Sequence, residues 1–384
     1  MYYFDQAATS LKKPPTVAKA MYEAIASATI GNPSRGGSAV SVNSSRIIFQ
    51  TREKIKELFG ATNYDVVLTK NATEALNLAI KGQFGAGDHL ITTILEHNSV
   101  LRPLYELENR QIALDFVGCQ PETGILCYDE FEKLINANTK AIVVTAASNV
   151  TGIITDLKFL SKLCQKHQLK LIVDGAQASG LANLNLDELA VDIYCFTGHK
   201  SLYGPQGIGG MCVKTDVKLD PVFSGGSGFK TFSKTHPTTM PERLEAGTPN
   251  VHGCVGLLAG IEYVLAQGVN YQASQAYEFA KYFYEQIQGL AGIKTYAQPQ
   301  KHLSTGVVAF NFKNYDSTEI ATLLEEKYNI ITRAGAHCAP LAHTFFATQA
   351  QGMVRFSASA MNTFAEVEYV ASAIKSLTYE EGTK

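Results

Sequence analysis

The 384-residue chain lacks a Cys-x-x-Cys pair, although it contains seven cysteines. That absence argues against a zinc ribbon and against a dithiol redox motif. We also expect no secretory signal, because the first residues show neither a basic segment nor an apolar one. An odd number of cysteines without such a signal predicts reduced thiols and a cytoplasmic location.

A strong charge of either sign is missing as well. Lys and Arg number 33 and Asp and Glu number 35, so the formal net charge is -2. This balance gives no reason to expect nucleic acid or an anionic membrane surface as a partner. The most apolar long stretch, residues 251–269, is interrupted by His252 and Glu262. It is therefore typical of a buried helix rather than of a membrane span.

Glycine motifs for nucleotide binding are absent too. Two glycine-rich segments, 204–210 and 224–228, have neither the G-x-G-x-x-G nor the G-x-x-x-x-G-K-[ST] spacing. We interpret both segments as turns. Internal repeats and low-complexity tracts are likewise not visible.

What the chain does contain is an alternation of short apolar runs with longer amphipathic segments. The runs are typical of buried strands and lie at 66–69, 89–94, 112–117, 141–145, 169–173, 192–196 and 209–213. Amphipathic segments such as 74–83 and 157–167 are typical of helices that cover a sheet. The alternation predicts an α/β fold with a mostly parallel sheet, followed after residue 255 by a smaller α+β domain.

Polar residues directly follow two of these apolar runs. Asp174 comes at the end of one run, and Lys200 lies shortly after another. Open α/β sheets place their ligands at such strand ends. A lysine amine can form a Schiff base with an aldehyde, and a carboxylate can keep a pyridine nitrogen protonated. Each residue alone would more often be a solvated lysine or a helix cap, but the pair is what pyridoxal 5'-phosphate (PLP) requires.

This combination resembles the fold-type I PLP-dependent enzymes, and within them the class V aminotransferase and cysteine desulfurase family. The resemblance extends from residues 4–9 (FDQAAT) to Arg355 and residues 362–363. It implies a large PLP-binding domain, 16–255, with a mostly parallel seven-stranded sheet. A smaller α+β domain would comprise residues 1–15 and 256–384, and the protein would be a homodimer.

The resemblance also implies which residues hold the cofactor. Lys200 matches the Schiff-base lysine, Asp174 the partner of the pyridine nitrogen, His97 the residue stacked on the ring and Gln177 the contact to the phenolate oxygen. The residues implied around the phosphate are Ala72, Thr73, Thr197, His199 and, from the neighbouring subunit, Thr248. The segment 70–75 leaves a strand and opens a helix, whose N-terminus binds anions. Ala72 replaces a hydroxyl residue that the family often carries, so we expect a backbone N–H contact there.

An amino-acid substrate brings a carboxylate, for which arginine offers a bidentate fork. The resemblance implies that Arg355 binds this carboxylate. Asn149 would lie between the cofactor and the carboxylate, and Arg35 matches a further arginine of the active site.

Cys338 matches the cysteine that takes up sulfur in the desulfurases. Only a thiolate is nucleophilic enough for this step, and His337 and Arg333 are the expected electropositive neighbours. A metal site formed by His337, Cys338 and His343 is disfavoured, because no fourth ligand is evident nearby. We therefore expect no metal.

The resemblance thus implies a PLP-dependent cysteine desulfurase, which converts L-cysteine to L-alanine and leaves the sulfur on Cys338 as a persulfide. A sulfur-acceptor protein would then receive it, for example in iron–sulfur cluster assembly. The segment 333–339 is similar to the short-loop branch that includes selenocysteine lyases, although Ala336 replaces a frequent histidine. Selenocysteine lyase, cysteine-sulfinate desulfinase and class V aminotransferase remain alternatives. A weakly active sulfur carrier or scaffold that retains PLP is a non-enzymatic alternative.

Overall fold

The computed structural model describes residues 1–33 and 37–381. Its strands are β1 (Tyr2–Tyr3), β2 (Tyr64–Thr69), β3 (His89–Thr93), β4 (Ala113–Val117), β5 (Thr139–Thr145), β6 (Lys170–Asp174), β7 (Ile193–Thr197), β8 (Gly209–Lys214), β9 (Ile293–Tyr296), β10 (Val307–Phe312), β11 (Ile330–Ile331) and β12 (Val354–Ser357). Its helices are α1 (Pro15–Ala26), α2 (Ala39–Phe59), α3 (Ala72–Lys81), α4 (Asn98–Glu108), α5 (Tyr128–Leu134), α6 (Leu157–His167), α7 (Leu186–Leu189), α8 (Val251–Gln267), α9 (Val269–Ile287), α10 (Ser317–Tyr328), α11 (Pro340–Phe345) and α12 (Phe364–Glu381).

The central sheet has seven strands in the order β2-β8-β7-β6-β5-β3-β4. Strand β8 runs antiparallel to its neighbours β2 and β7, and the other neighbouring pairs are parallel. Helices cover both faces of a parallel sheet, so its strands are buried on both sides. The fully buried strands β3 and β7 show this directly. The predicted α/β fold with a mostly parallel seven-stranded sheet is confirmed.

Two glycines allow close approaches within this sheet. A Cβ on Gly175, directly after β6, would overlap the ring of Tyr194. A Cβ on Gly210, inside β8, would overlap the carbonyl oxygen of Val67 on the adjacent strand. Both positions require glycine because there is no space for a side chain, and not because of an unusual backbone angle.

A second hydrophobic core lies around an antiparallel sheet of order β12-β10-β9. The N-terminal strand β1 pairs with β11, and the Phe4 ring stacks on that of Phe356 with their centroids 4.7 Å apart. Helix α8, by contrast, buries Cys254, Leu257 and Ile261 in the core of the large sheet. The division at residue 255 stays a prediction. Of the helices described, none combines the length and apolarity that a membrane crossing would require.

Candidate active site

A pocket of about 220 Å³ lies at the carboxyl ends of β5, β6 and β7. It brings together most of the residues predicted from sequence, namely Ala72, Thr73, His97, Asn149, Asp174, Gln177, Thr197, His199, Lys200 and Arg355. Two other predicted residues are not among those that line the pocket. Thr248 is exposed and Cys338 is exposed, and neither belongs to the described lining of the pocket. Arg35 lies outside the described residues.

Lys200 and Asp174 both line this pocket, and their opposite charges interact. Strand β6 ends at Asp174, which is 3% exposed and accepts a hydrogen bond from the backbone N–H of Ala176 at 2.9 Å. Burial raises the pKa of Asp174, while the positive charge of Lys200 opposes that rise. Burial also lowers the pKa of Lys200 to about 8, against the attraction of Asp174. The lysine is therefore closer to its free-amine form than an exposed lysine would be.

A chain of hydroxyls fixes His97 at the start of α4. The Nδ1 atom of His97 accepts the backbone N–H of Ser99 at 3.0 Å and lies 2.9 Å from the Ser99 hydroxyl. That hydroxyl lies 2.7 Å from the Thr73 hydroxyl. Burial, followed by the positive charge of Lys200, lowers the pKa of His97 to about 4. The imidazole is neutral, and its bonded Nδ1 leaves the proton on Nε2.

The start of α3 fits an anion. Asn71 caps the helix, because its side chain accepts the backbone N–H of Glu74 at 3.0 Å. The Thr73 hydroxyl is thus not the cap. Across the pocket, the buried Thr197 hydroxyl has no hydrogen-bond partner among the described residues. Burial of such a group is costly unless a ligand pairs with it.

The two other polar side chains of the cofactor region contact the N-terminal segment. Gln177 donates from Nε2 to the carbonyl oxygen of Ala7 at 3.0 Å. His199 lies with Nδ1 3.0 Å from the Thr9 hydroxyl, and burial lowers the pKa of His199 to about 4. The first residues of the chain therefore form one wall of the site.

Arg355 already holds a carboxylate of the protein itself. It is 2% exposed, donates from Nη2 to Asp5 at 2.7 Å and from Nη1 to the carbonyl oxygen of Asn149 at 3.0 Å. Its Nε is buried and has no partner among the described residues. The backbones of Arg355 and Arg333 pair, which places a second guanidinium on the wall of the pocket. An anionic substrate would meet two arginines and one competing carboxylate.

The segment that carries Cys338 is hydrogen-bonded to the rim of the pocket. Asn149 donates from Nδ2 to the His337 carbonyl oxygen at 2.7 Å, and the backbone N–H of Asn98 donates to the Cys338 carbonyl oxygen at 2.7 Å. His337 and Cys338 both have left-handed backbone angles, with φ of 48° and 56°. These contacts hold the cysteine beside the site while leaving its side chain exposed.

His337 differs from the expected electropositive neighbour. It is 5% exposed, and burial, followed by the charge of Arg355, lowers its pKa to about 2. A neutral imidazole supplies no positive charge to a thiolate. Arg333 remains the cationic neighbour in this segment of the chain.

Three contributors were not identified from the sequence. Ser99 links Thr73 to His97, Asp5 pairs with Arg355, and Glu96 lies fully buried directly before His97. Ser99 and Glu96 could have been suspected from their closeness to His97. The Asp5 contact spans 350 positions of sequence and left no local signal.

These side chains fit PLP. The amine of Lys200 has a lowered pKa, and His97 is neutral. The carboxylate of Asp174 is buried and interacts with the positive charge of Lys200. The unpartnered Thr197 hydroxyl and the N-terminus of α3 would receive a phosphate.

Known proteins resemble this chain along most of its length. A family model described as aminotransferase class-V matches residues 2–370. A probable cysteine desulfurase from Pyrococcus abyssi is 31% identical over 98% of this chain and 94% of its own length. A cysteine desulfurase from Escherichia coli O157:H7 is 34% identical over 81% of this chain and 77% of its own length. The apo structure of the cysteine desulfurase from Thermococcus onnurineus NA1 matches with a TM-score of 0.89 at 30% identity, covering 98% of this chain and 94% of that chain.

Proposed function

Because the chain belongs to the class-V aminotransferase family, whose members are PLP-dependent enzymes, we propose that it is a cysteine desulfurase that uses PLP to convert L-cysteine to L-alanine. The observation that carries this proposal is the placement of the Cys338 segment. It is hydrogen-bonded to Asn149 and Asn98 at the rim of a pocket that contains Lys200, Asp174 and Arg355.

PLP, when bound, would supply an electron sink for the negative charge that develops at the substrate's α-carbon. Lys200 would attach it, Asp174 would pair with its ring nitrogen and His97 would lie against the ring. Ala72, Thr73, Thr197 and His199 surround the place for its phosphate. Gln177 keeps a second amide N–H besides the one donated to Ala7.

The protein's own groups would also bind the substrate and move its protons. Arg355, with Arg333 beside it, would hold the substrate carboxylate, and Asn149 would support the guanidinium through its carbonyl oxygen. Lys200 is suited to take a proton at Nζ near neutral pH, because its pKa is lowered to about 8. His97 offers a second neutral nitrogen base in the pocket.

The thiolate Sγ of Cys338 would take the sulfur from the substrate. A sulfur–sulfur bond forms as the substrate's carbon–sulfur bond breaks, and the carbon keeps the bonding electron pair. Protonation of that carbon then gives alanine. The persulfide on Cys338 would lie on an exposed side chain, where a sulfur-acceptor protein can reach it.

We place the site in a cytoplasmic homodimer. Exposed Thr248 is positioned outside its own pocket, as expected if it reaches the phosphate of a neighbouring subunit. In the same region, 215–250, the side chains of Phe223, Phe229 and Phe232 are exposed. That of Phe232 is fully accessible to solvent. Large apolar side chains exposed in this way would be covered by the neighbouring subunit in such a dimer.

A product assay on the purified protein with L-cysteine, L-selenocysteine and cysteine sulfinate in parallel tests the proposal. We expect alanine and sulfide, in the presence of a thiol, from L-cysteine, and none from Lys200→Ala. Turnover of selenocysteine or cysteine sulfinate alone would replace the proposal with a lyase or a desulfinase. Transamination without sulfur release would indicate an aminotransferase, and PLP binding without turnover would indicate a carrier or scaffold.

A further inference from the structure

Glu96 is a buried carboxyl group to which the proposed reaction assigns no role. Its side chain is 0% exposed, and it lies one residue before His97. Its Oε1 accepts two hydrogen bonds, from the Thr93 hydroxyl at 2.6 Å and from the backbone N–H of Thr145 at 3.0 Å. Its Oε2 is also buried and has no hydrogen-bond partner among the described residues.

Glu96 fills a gap between two strands of the central sheet. The pairing of β3 with β5 ends at Ile91 and Ile142, several residues before β5 ends at Thr145. The N–H of Thr145 therefore donates to the Glu96 side chain instead of to a strand backbone. One carboxyl group thus ties the segment that leads into α4 to the end of β5.

Both ends of this tie reach the pocket. His97 caps α4 and lines the pocket. Thr145, at the other end of the tie, lines the pocket as well. Thr145 is also the register partner of Asp174 in β6, and the N–H of the next residue, Ala146, donates to the Asp174 carbonyl oxygen at 2.8 Å. The position of Glu96 consequently affects His97 and Asp174 together.

We propose that Glu96 is a positioning residue that works as a neutral, protonated acid, holding His97 and the end of β5 in place for the cofactor. The proposal rests on the proposed function for its purpose, but not for the state of Glu96 itself. In a protonated acid, Oε1 is the carbonyl oxygen and can accept both hydrogen bonds, from the Thr93 hydroxyl and from the Thr145 N–H. An ionised one would leave Oε2 as a buried anionic oxygen with no hydrogen-bond partner among the described residues.

The charges around Glu96 favour the protonated form. The anion of Asp174, at the end of β6, is the charged group that acts on Glu96 from a packed strand. The other contacts, Thr93 and Thr145, are uncharged, and His97 on its own segment is neutral. Burial, against the hydrogen bonds from Thr93 and Thr145 and with a smaller contribution from the charge of Asp174, raises the pKa of Glu96 to about 8. A neutral Glu96 leaves Asp174 as the single anion of the pair.

The first test is infrared spectroscopy of the purified full-length protein, compared with Glu96→Gln. We expect a carbonyl band of a protonated carboxylic acid at pH 6 that disappears by pH 10 and is missing from Glu96→Gln. The difference between the two proteins removes signals from other buried carboxyl groups. Absence of a Glu96-dependent band at pH 6 would overturn the proposal.

Thermal unfolding at several pH values gives an independent measurement. The folded pKa is raised above the unfolded value of 4.5, so protonated Glu96 stabilises the fold most at low pH, and this advantage is lost as the pH rises towards about 8. The melting temperature of the wild type minus that of Glu96→Gln should therefore fall by several degrees between pH 5 and pH 8 and stay level above. A constant difference would contradict the proposal.

Glu245 supplies a matched control, because its side chain is mostly buried but is paired with Arg52 at 2.7 Å. Glu245→Gln should lower the melting temperature at pH 6, whereas Glu96→Gln should not lower it, because at that pH the unfolded wild type has already lost the proton that folded Glu96 keeps. If PLP binds, Glu96→Gln should retain activity within about threefold at pH 7, while the shorter Glu96→Asp should lose at least tenfold. Loss of PLP binding in Glu96→Gln would mean that the ionised form is the working one. The spectra and melting curves stand even if the protein proves not to be a desulfurase.

Discussion

Lys200 owes its expected reactivity to two opposed influences, burial and the charge of Asp174. Burial dominates and brings the pKa to about 8. A sizeable fraction of the amine is therefore free near neutral pH, as attack on an aldehyde requires. The same environment would not form around an exposed lysine, so the reactivity belongs to the site and not to the residue type.

Replacement of Lys200 by alanine should abolish covalent attachment of PLP and all turnover, because the pocket contains no second described lysine. Visible absorbance after reconstitution and gel filtration measures the attachment. Lys13→Ala is the matched control, since burial lowers the pKa of Lys13 to about 8 as well, yet it is not part of the described lining. Retained attachment in Lys200→Ala, or its loss in Lys13→Ala alone, would remove Lys200 from this role.

Replacement of Cys338 by serine should leave PLP and cysteine binding intact but stop sulfur release, because a serine hydroxyl is neither ionised near neutral pH nor comparably nucleophilic. Mass spectrometry after incubation with L-cysteine should find the added sulfur on Cys338. Cys127→Ser is the control, since Cys127 is the partly exposed cysteine among the other six. Full desulfurase activity in Cys338→Ser, or sulfur found on Cys127, would overturn the assignment. Residual activity on selenocysteine would not, because selenium is the better leaving atom.

The placement of residues in the pocket could be predicted where the position after a strand decided it, while their roles stay predictions. Asp174, Lys200 and His97 follow apolar runs, and parallel strands place such residues at one edge of the sheet. The neutral state of His337 and the Asp5–Arg355 pair could not be foreseen. The first depends on burial by distant segments, and the second joins the two ends of the chain.

At the scale of elements, one ion pair anchors the long segment between β8 and α8. Glu245 accepts from Arg52 on α2 and from the backbone N–H of Leu68 on β2 at 2.7 Å. The side chains of Arg52 and Glu245 are only 22% and 16% exposed. Thr248 follows shortly after this anchor, so the anchor sets where that threonine is presented.

Glu245→Ala should lower the free energy of unfolding by about 3 kcal/mol, because Arg52 and the Leu68 N–H would lose their shared partner while remaining mostly buried. Urea unfolding followed by circular dichroism measures the change. Glu57→Ala removes a surface ion pair with Lys54 and should leave the midpoint nearly unaltered. Equal effects of the two substitutions would show that burial of the pair is unimportant.

The strand pattern was readable from sequence, but the direction of one strand was not. The run 209–213 looks like the parallel runs before it, yet β8 inserts antiparallel between β2 and β7. Apolar composition reports burial on both faces and carries no information on direction. The second, antiparallel sheet was expected only in outline.

At the scale of the whole molecule, the exposed phenylalanines predict the state of assembly. Phe229→Asp should convert the proposed dimer to a monomer, because a charge would be buried in an apolar interface. PLP affinity should fall with it if Thr248 completes the neighbouring site. Light scattering during gel filtration measures the mass, and PLP titration measures the affinity. Tyr271→Asp is the control, since Tyr271 is 49% exposed and Phe229 52%, yet it lies on α9. A variant of unchanged mass would contradict the interface.

The contacts of residues 5–9 with the far end of the chain have a consequence for synthesis on the ribosome. Asp5 emerges first, but its partner Arg355 follows 350 positions later. At ordinary elongation rates of about 5–20 residues per second, this delay is on the order of 20 to 70 s. During that time the large sheet can form, while the wall of the pocket made by the first residues has no β11 or β12 to pair with. The nascent protein therefore passes through a stage in which its central sheet exists and Arg355 has not been made.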